Sequence, residues 1–402
     1  MCVANGSGGS LRVIDQVELR EALSQAQVDG WLLFAFHGLN PVAVRVLGLT
    51  GMNTRRLFVL FPRDGEPTAV AHKIELAGLE KFPGRVISYA RWGELHQALK
   101  SLVGGRTVAM EISPQDAVPY LDRVPYGVVQ LLQELGAKVV PSGFLVSRFA
   151  ARWTPDELED HRFAAEILAD VARATLKQAT READADLTES ALQARVVAEV
   201  EARGLTFNEP PIVGFGPNSA KPHYEPHPGG DAVLRNGDLI LLDLWAGRTR
   251  DTVFADQTWI GFAGRQVPPR IQDVWQTVRR ARDAAIESIT RAAGDRRRIT
   301  GYEVDRAARA VVEAAGYGEA FVHRTGHSID RDLHGSGPHL DDYETHDDRE
   351  LVKGVGFSVE PGIYLAGSFG IRSEVNVFMG AGGPEVTPRA PQVEVIVESS
   401  PD

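Results

Sequence analysis

With 402 residues, 43% of them hydrophobic, the chain is long enough for two domains with separate cores. A formal net charge of -11 argues against a broad phosphate-binding face, so no nucleic-acid partner is expected. The single cysteine, Cys2, excludes an internal disulfide, and no run approaches the roughly 20 apolar residues of a membrane span, so no membrane partner is expected. The opening "MCVANGSGGS" lacks the basic start and apolar run of a signal peptide, which makes the cytosol the expected compartment.

From about residue 11 to 150, helix-like segments ("VELREALSQAQ", "PYGVVQLLQEL") alternate with short β-rich runs ("GWLLFAF", "LFVLF", "TVAMEI", "AKVV"), an α/β pattern with no cluster that would carry chemistry. The pattern changes at "TPDELED". Thr154 is placed to cap a helix, Pro155 fits its first position, and Glu157 completes a capping box, so a long helix is predicted from there to about Ala179. Further helices are predicted over roughly 188–204, 269–293 and 302–315, the last stopped by Gly316. Strand-like segments bounded by Gly, Asn and Pro lie between and after them, so residues 151–402 read as an α+β domain. Seven of the eleven histidines fall at or beyond His223, in this part.

"LILLDLWAG" and "TVFADQTWIG" read as an antiparallel hairpin carrying Asp243 and Asp256, with Asp251 in its turn. A carboxylate within an apolar strand is costly unless it is paired or holds a metal, although either residue taken singly also fits an edge strand. Next comes "HRTGHSIDRDLHG", with His323, His327 and His334 at intervals of four and seven. Those intervals would share one helical face, but the intervening residues are almost all polar and offer no stripe to dock, so a looped or extended segment is predicted. Taken alone, each histidine fits a surface or hydrogen-bonded structural role better than a catalytic one. In "VEPGIY", Glu360 ends a β run, and in "GIRSEVNV", Arg372 and Glu374 alternate on one strand face, where a surface ion pair is the plain alternative. Two aspartates, two glutamates and at least one histidine in one domain suit Mn²⁺, Co²⁺ or Zn²⁺, with carboxylates enough to bridge two ions.

In this order the residues resemble the pita-bread metallopeptidases: prolidase, aminopeptidase P, methionine aminopeptidase and the metal-free creatinase. The match spans roughly 154–395, and the preceding segment resembles the N-terminal domain of prolidase, aminopeptidase P and creatinase. The expected organisation is a creatinase-like α/β domain over 1–150 and a pita-bread α+β catalytic domain over 151–402. The resemblance implies a site of two divalent ions, Mn²⁺ expected and Co²⁺ or Zn²⁺ as alternatives, held by Asp243, Asp256, His327, Glu360 and Glu374. It further implies catalytic roles for Glu360, His334 and His223, with His323, Tyr364 and Arg372 facing substrate. His227, His339 and His346 are left as loop residues. One departure stands out. Typical members place the two aspartates eleven apart, and Phe254 occupies that position here, whereas Asp256 is thirteen past Asp243. Lengthening a hairpin by two preserves the face used by the second aspartate, so Asp256 is the expected ligand. The function implied is hydrolysis of Xaa-Pro bonds in small peptides by a homodimeric dipeptidase. Aminopeptidase P, a creatinase-like hydrolase of a small non-peptide compound, or an inactive binding module are the competing readings, and retention of all five ligands disfavours the last two.

Overall fold

The computed structural model describes residues 14–50 and 53–398, so Cys2 and the N-terminal tail lie outside the described residues. The chain divides into two compact units, Met1–Ala150 and Ala151–Asp402.

The first unit is built on a mixed six-stranded sheet. Its strands are β1 (Gly30–Ala35), β2 (Leu57–Pro62), β3 (Thr68–His72), β4 (Arg85–Tyr89), β5 (Thr107–Met110) and β6 (Lys138–Pro141), in the order β4-β3-β2-β1-β5-β6. Every residue of β1 is buried, because both sheet faces are covered: Trp31, Leu33 and Ala35 join one apolar cluster, Leu32 and Phe34 the other. Helices α1 (Gln16–Gln25) and α2 (Pro41–Leu47) supply the first cluster, and α3 (Trp92–Val103) and α4 (Tyr126–Glu134) the second; α5 (Gly143–Leu145) is a single turn. One buried charge interrupts this apolar scheme. Glu111 accepts from Trp31 Nε1 at 2.7 Å, Asn40 Nδ2 at 2.7 Å and Ser142 Oγ at 2.8 Å.

The second unit opens with α6 (Pro155–Ala179), whose start carries the expected reciprocal cap: Thr154 N donates to Glu157 Oε2 at 2.7 Å, and Glu157 N to Thr154 Oγ1 at 3.2 Å. Then come α7 (Glu189–Ala202), α8 (Pro269–Gly294) and α9 (Gly301–Ala314), each within two residues of its predicted bounds. Strands β7 (Ile212–Phe215), β8 (Leu239–Ala246), β9 (Ala255–Phe262) and β16 (Ile396–Val397) form one sheet, ordered β16-β9-β8-β7. A second sheet, β10-β11-β14-β15, comprises Ser328–Ile329, Gly356–Val359, Val375–Gly380 and Gly383–Thr387, and β12 (Gly362–Leu365) pairs with β13 (Phe369–Arg372). Helices α6 and α7 cover one face of β8 and β9, while α8 and α9 pack on the cluster that includes the opposite face. The histidine-rich stretch is mostly irregular, with only the two residues of β10 extended in a ladder. No described helix is long and apolar enough to cross a membrane.

His161 fastens α6 to two strands. Its Nδ1 lies 2.9 Å from the Phe254 carbonyl and its Nε2 2.8 Å from Thr387 Oγ1. The carbonyl can only accept, so Nδ1 carries the proton and Nε2 accepts from the hydroxyl. Burial of this neutral ring pushes its pKa down to about 4. An unfolded imidazole protonates near 6.5 while the folded one does not until about pH 4, so stability falls as pH drops through that window. Between pH 7 and 5 the loss from this residue is about 2 kcal/mol. Urea denaturation at both pH values should therefore show the stability gap between wild type and His161→Gln narrowing by about that amount; an unchanged gap would contradict the assignment.

Candidate metal centre

The register of β8 and β9 pairs Asp243 with Thr258 and Trp245 with Asp256. Cross-strand partners, and residues two apart on one strand, share a face, so these four side chains stand together. Further along that face are Leu239, Leu241, Ile260 and Phe262, which belong to the large apolar cluster. Leu242, Leu244, Ala246, Ala255 and Trp259 take the other face, beneath α6 and α7. The thirteen-residue spacing thus leaves both aspartates on one side. Asp251 sits exposed in the turn, and Phe254 is buried with its carbonyl bound to His161.

A second pairing faces the first. β11 and β14 align Ser358 with Asn376 and Val359 with Val375, which places Glu360 and Glu374, two residues from that pair, on the same face. The junction between the two sheets is a side chain imitating a strand. Asn376 Oδ1 accepts from Asp256 N at 2.9 Å and its Nδ2 donates to Asp256 O at 2.8 Å. His327 enters from the irregular stretch. Its backbone N donates to Ser358 Oγ at 2.9 Å, and that hydroxyl donates to Glu360 Oε1 at 3.2 Å. Gly326 makes the approach possible, since a Cβ there would fall 2.0 Å from the Ser358 carbonyl oxygen.

Asp256, His327 and Glu374 each present a ligand atom within 4.8 Å of the others. His327 Nε2 is 3.4 Å from Asp256 Oδ2 and 3.5 Å from Glu360 Oε1. The Arg372 guanidinium lies amid the carboxylates: it pairs with Asp243, stands 3.7 Å from Glu360 Oε2 and 3.9 Å from Glu374 Oε2, and donates to Thr258 Oγ1 at 2.8 Å. Thr258 Oγ1 in turn donates to Glu374 Oε2 at 2.7 Å.

Four carboxylates thus share a buried space with one guanidinium and one imidazole. Burial, then the neighbouring Asp256 and Glu360, push Asp243 up to about 7 against the pull of Arg372. Burial likewise raises Asp256, and burial with three carboxylate neighbours raises Glu374 well above its ordinary range. Glu360 goes the other way: burial pushes it up, but His327 and Arg372 outweigh that and leave it ionised. Glu374 Oε1 is buried with no hydrogen-bond partner among the described residues. Excess buried negative charge, oxygen donors, one imidazole and an orphaned carboxylate oxygen together fit a divalent cation.

Around this core the other expected residues take distinct places. His323 Nδ1 lies 2.7 Å from the Arg324 carbonyl, so it carries the proton, and Nε2 accepts from Tyr364 OH at 2.8 Å. Tyr364 OH accepts in turn from Arg372 at 3.3 Å. Burial pushes His323 down to about 4, which keeps it neutral. His334 is exposed, its ring edge-on to His327 with centroids 4.3 Å apart, and the charge on His327 is the main influence that lowers its pKa. His223 is exposed on the loop after β7, within electrostatic range of His334. His339 is buried, with Nδ1 accepting from Ser328 N at 3.1 Å, while His346 pairs with Asp342 at 2.6 Å and His227 is exposed.

Four residues that hold this arrangement went unseen in the sequence: Ser358, Asn376, Glu189 and Asp305. Glu189, at the start of α7, gathers the loop that carries His223. It accepts from Phe215 N at 2.7 Å, Tyr224 OH at 2.6 Å, Ala232 N at 2.8 Å and Asn218 Nδ2 at 3.1 Å. Asp305 on α9 accepts from Thr325 N at 2.9 Å and Thr325 Oγ1 at 2.6 Å, fixing the segment between His323 and His327. Only Glu189 left a local trace, an acid in a helix's first turn, and that reads as ordinary dipole complementation.

Comparison with known proteins agrees with this geometry. Residues 159–381 match metallopeptidase family M24. The "Probable dipeptidase PepE" of Mycobacterium tuberculosis is 29% identical over 364 residues, covering 85% of this chain and 86% of that protein. The Xaa-Pro dipeptidase of Lactobacillus helveticus is 33% identical over 163 residues, 40% of each chain. Among solved structures, dipeptidase PepE from Mycobacterium ulcerans superposes with a TM-score of 0.71 at 24% identity, over 96% of this chain and 97% of that one. The buried carboxylate centre thus sits in a pita-bread fold preceded by an N-terminal domain, and the chain belongs to metallopeptidase family M24.

Proposed function

We propose that this chain is a dipeptidase that hydrolyses the bond before proline, with two divalent ions held by Asp243, Asp256, His327, Glu360 and Glu374. The observation that carries the reading is the convergence of Asp256, Glu360 and Glu374 on His327, with Asp243 beside them and a single guanidinium to balance all four, leaving Glu374 Oε1 unpartnered among the described residues. Mn²⁺ is the expected metal, since the donor set is oxygen-rich with one imidazole; Co²⁺ and Zn²⁺ are the alternatives. Asp256 and Glu374, which lie with His327 at the centre of the cluster, would serve among the ligands. When bound, the metals supply an activated water at neutral pH and polarise the scissile carbonyl.

The protein's own groups manage protons and position. Glu360, kept ionised, is the acceptor for the proton of the attacking water. His334, exposed beside His327, is the group assigned to proton transfer during turnover. His323 and Tyr364 form a neutral wall with a fixed tautomer, and Arg372 orients Asp243 while donating to Tyr364 OH. His223, on the loop held by Glu189, closes the same side as His334. The names of the dipeptidase relatives support a dipeptide substrate. A creatinase-like first domain, a homodimer and a cytosolic setting complete the proposal.

Protein loaded with Mn²⁺ should hydrolyse Ala-Pro faster than Ala-Pro-Ala or Ala-Ala. Cleavage of Ala-Pro-Ala in preference would make it an aminopeptidase, and indifference to proline would remove the Xaa-Pro reading. Calorimetric titration with Mn²⁺ should show tight binding lost in Asp256→Asn and retained in Asp251→Asn, because only Asp256 faces the cluster; the reverse pattern would mean that the hairpin face is misassigned. Asn376→Ala leaves a buried N–H and carbonyl of Asp256 without partners, at a cost of about 2–5 kcal/mol in urea denaturation, and should weaken Mn²⁺ binding at least tenfold. Weakened binding without lost stability would contradict that account.

A further inference from the structure

The second unit contains four tryptophans, Trp153, Trp245, Trp259 and Trp275. Three of them are buried in apolar clusters, and each has its indole N–H bonded: Trp153 to the Ile329 carbonyl at 2.7 Å, Trp259 to Gln257 Oε1 at 2.9 Å, Trp275 to the Val393 carbonyl at 3.4 Å. Trp245 departs from this pattern in every respect. It is half-buried, belongs to none of the apolar clusters, and among the described residues has no aromatic partner and no side-chain hydrogen bond. Its place in the ladder explains what it stands beside. It lies directly opposite Asp256 and two residues beyond Asp243, on the face that carries both carboxylates. Side chains paired across strands stand about 5 Å apart at Cβ, so the indole borders the carboxylate cluster. The inner end of this face is closed by Leu239, Leu241, Ile260 and Phe262, and Trp245 occupies the outer end, next to the exposed turn.

We infer that Trp245 selects the residue on the N-terminal side of the scissile bond, favouring substrates whose first side chain is apolar or aromatic. This rests on the dipeptidase reading above. The scissile carbonyl must reach the centre that Asp243 and Asp256 help to hold, and that carbonyl belongs to the first residue, whose side chain branches one bond away from it. The side chain attached to the ammonium-bearing residue therefore falls beside Asp256 and Asp243, where the indole offers an unpartnered apolar surface. A large aromatic ring left half-open costs nothing to desolvate further and gains contact area when an apolar group covers it. A first residue with an acidic side chain would have to desolvate its charge against the indole and is disfavoured, and glycine leaves the indole uncovered.

The test compares kcat/KM for Phe-Pro, Leu-Pro, Gly-Pro and Asp-Pro in the Mn²⁺-loaded wild type, Trp245→Ala and Trp245→Phe. In Trp245→Ala the preference for Phe-Pro and Leu-Pro over Gly-Pro should fall at least tenfold, the range typical of one hydrophobic pocket contact. Trp245→Phe, which keeps an aromatic surface, should retain most of the preference. An equal loss on all four peptides would overturn the inference. A second readout is independent of turnover: leucinamide, which carries only the ammonium and the first side chain, should alter tryptophan emission in wild type more than glycinamide does, and should have no such effect in Trp245→Phe. If no Xaa-Pro peptide is hydrolysed, the proposed activity fails while the leucinamide signal still upholds the role of the indole. Identical emission responses in wild type and Trp245→Phe would refute that role whatever the activity.

Discussion

Everything at the centre depends on the antiparallel register of β8 and β9. Pairing Asp243 with Thr258 and Trp245 with Asp256 sorts a nearly continuous apolar hairpin into two unlike faces. One face is wholly apolar except for Gln257, whose amide donates to the Ala165 carbonyl at 2.8 Å and so ties the hairpin to α6. The other is apolar at its inner end and acidic at its outer end. A slip of one residue would turn one strand over, send one of the two aspartates under α6 and α7 and part it from the other, so register and chemistry cannot be separated. The apolar inner half fixes the register, because burying those side chains outweighs any gain that the carboxylates alone could offer.

Holding like charges this close is unfavourable, and the fold offsets it in two ways. Arg372 lies among the carboxylates, paired with Asp243 and within 3.9 Å of Glu374. Its donors are not enough, however, since a single guanidinium faces four acids, and burial first, then the neighbouring carboxylates, raise the pKa values of Asp243, Asp256 and Glu374. The second device is rigidity. Asn376 fixes the main chain of Asp256, Ser358 ties the His327 backbone to Glu360, and Asp305 grips Thr325. None of these residues lowers the repulsion. They prevent its relief by movement, which keeps the carboxylates convergent for a cation to join.

How much of this was legible in sequence follows from the range of the interactions. The α6 helix could be read to the residue because its signals are local: Thr154, Pro155 and Glu157 lie within four positions. Phe254 could be set aside because it has no ligand atom, and Asp256 accepted because a hairpin longer by two keeps the face, a local rule that the register obeys by placing Asp243 and Asp256 on one side. The bracing residues could not be read. Asn376 meets Asp256 across 120 positions and Ser358 meets His327 across 31, and nothing near either residue announces the partner. Arg372 shows the same limit from another side. Its place two residues before Glu374 suggests a surface pair or a group facing substrate, whereas the structure buries it against Asp243, 129 positions away. The strand order of the first domain, with a parallel edge on either side of an antiparallel centre, likewise depends on long-range pairing that composition does not encode.

The buried acids outside the centre show what distinguishes a structural carboxylate from one available for chemistry. Glu111 has both oxygens engaged by Trp31, Asn40 and Ser142, and Glu189 receives its bonds from the main chain, an amide and a phenol. Asp347 accepts from its own loop, from His339 N at 2.9 Å and from Arg349 at 2.6 Å. Each carboxylate has donors at both oxygens, and Glu111 and Glu189 hold together segments distant in sequence. Glu374 is buried as deeply, yet one of its oxygens has no donor and its nearest neighbours include other acids. Burial alone therefore says little about function in this protein. The distinguishing mark is a burial whose electrostatic cost is left uncompensated by the chain itself, and among these carboxylates that mark falls on the group facing Asp256 and His327.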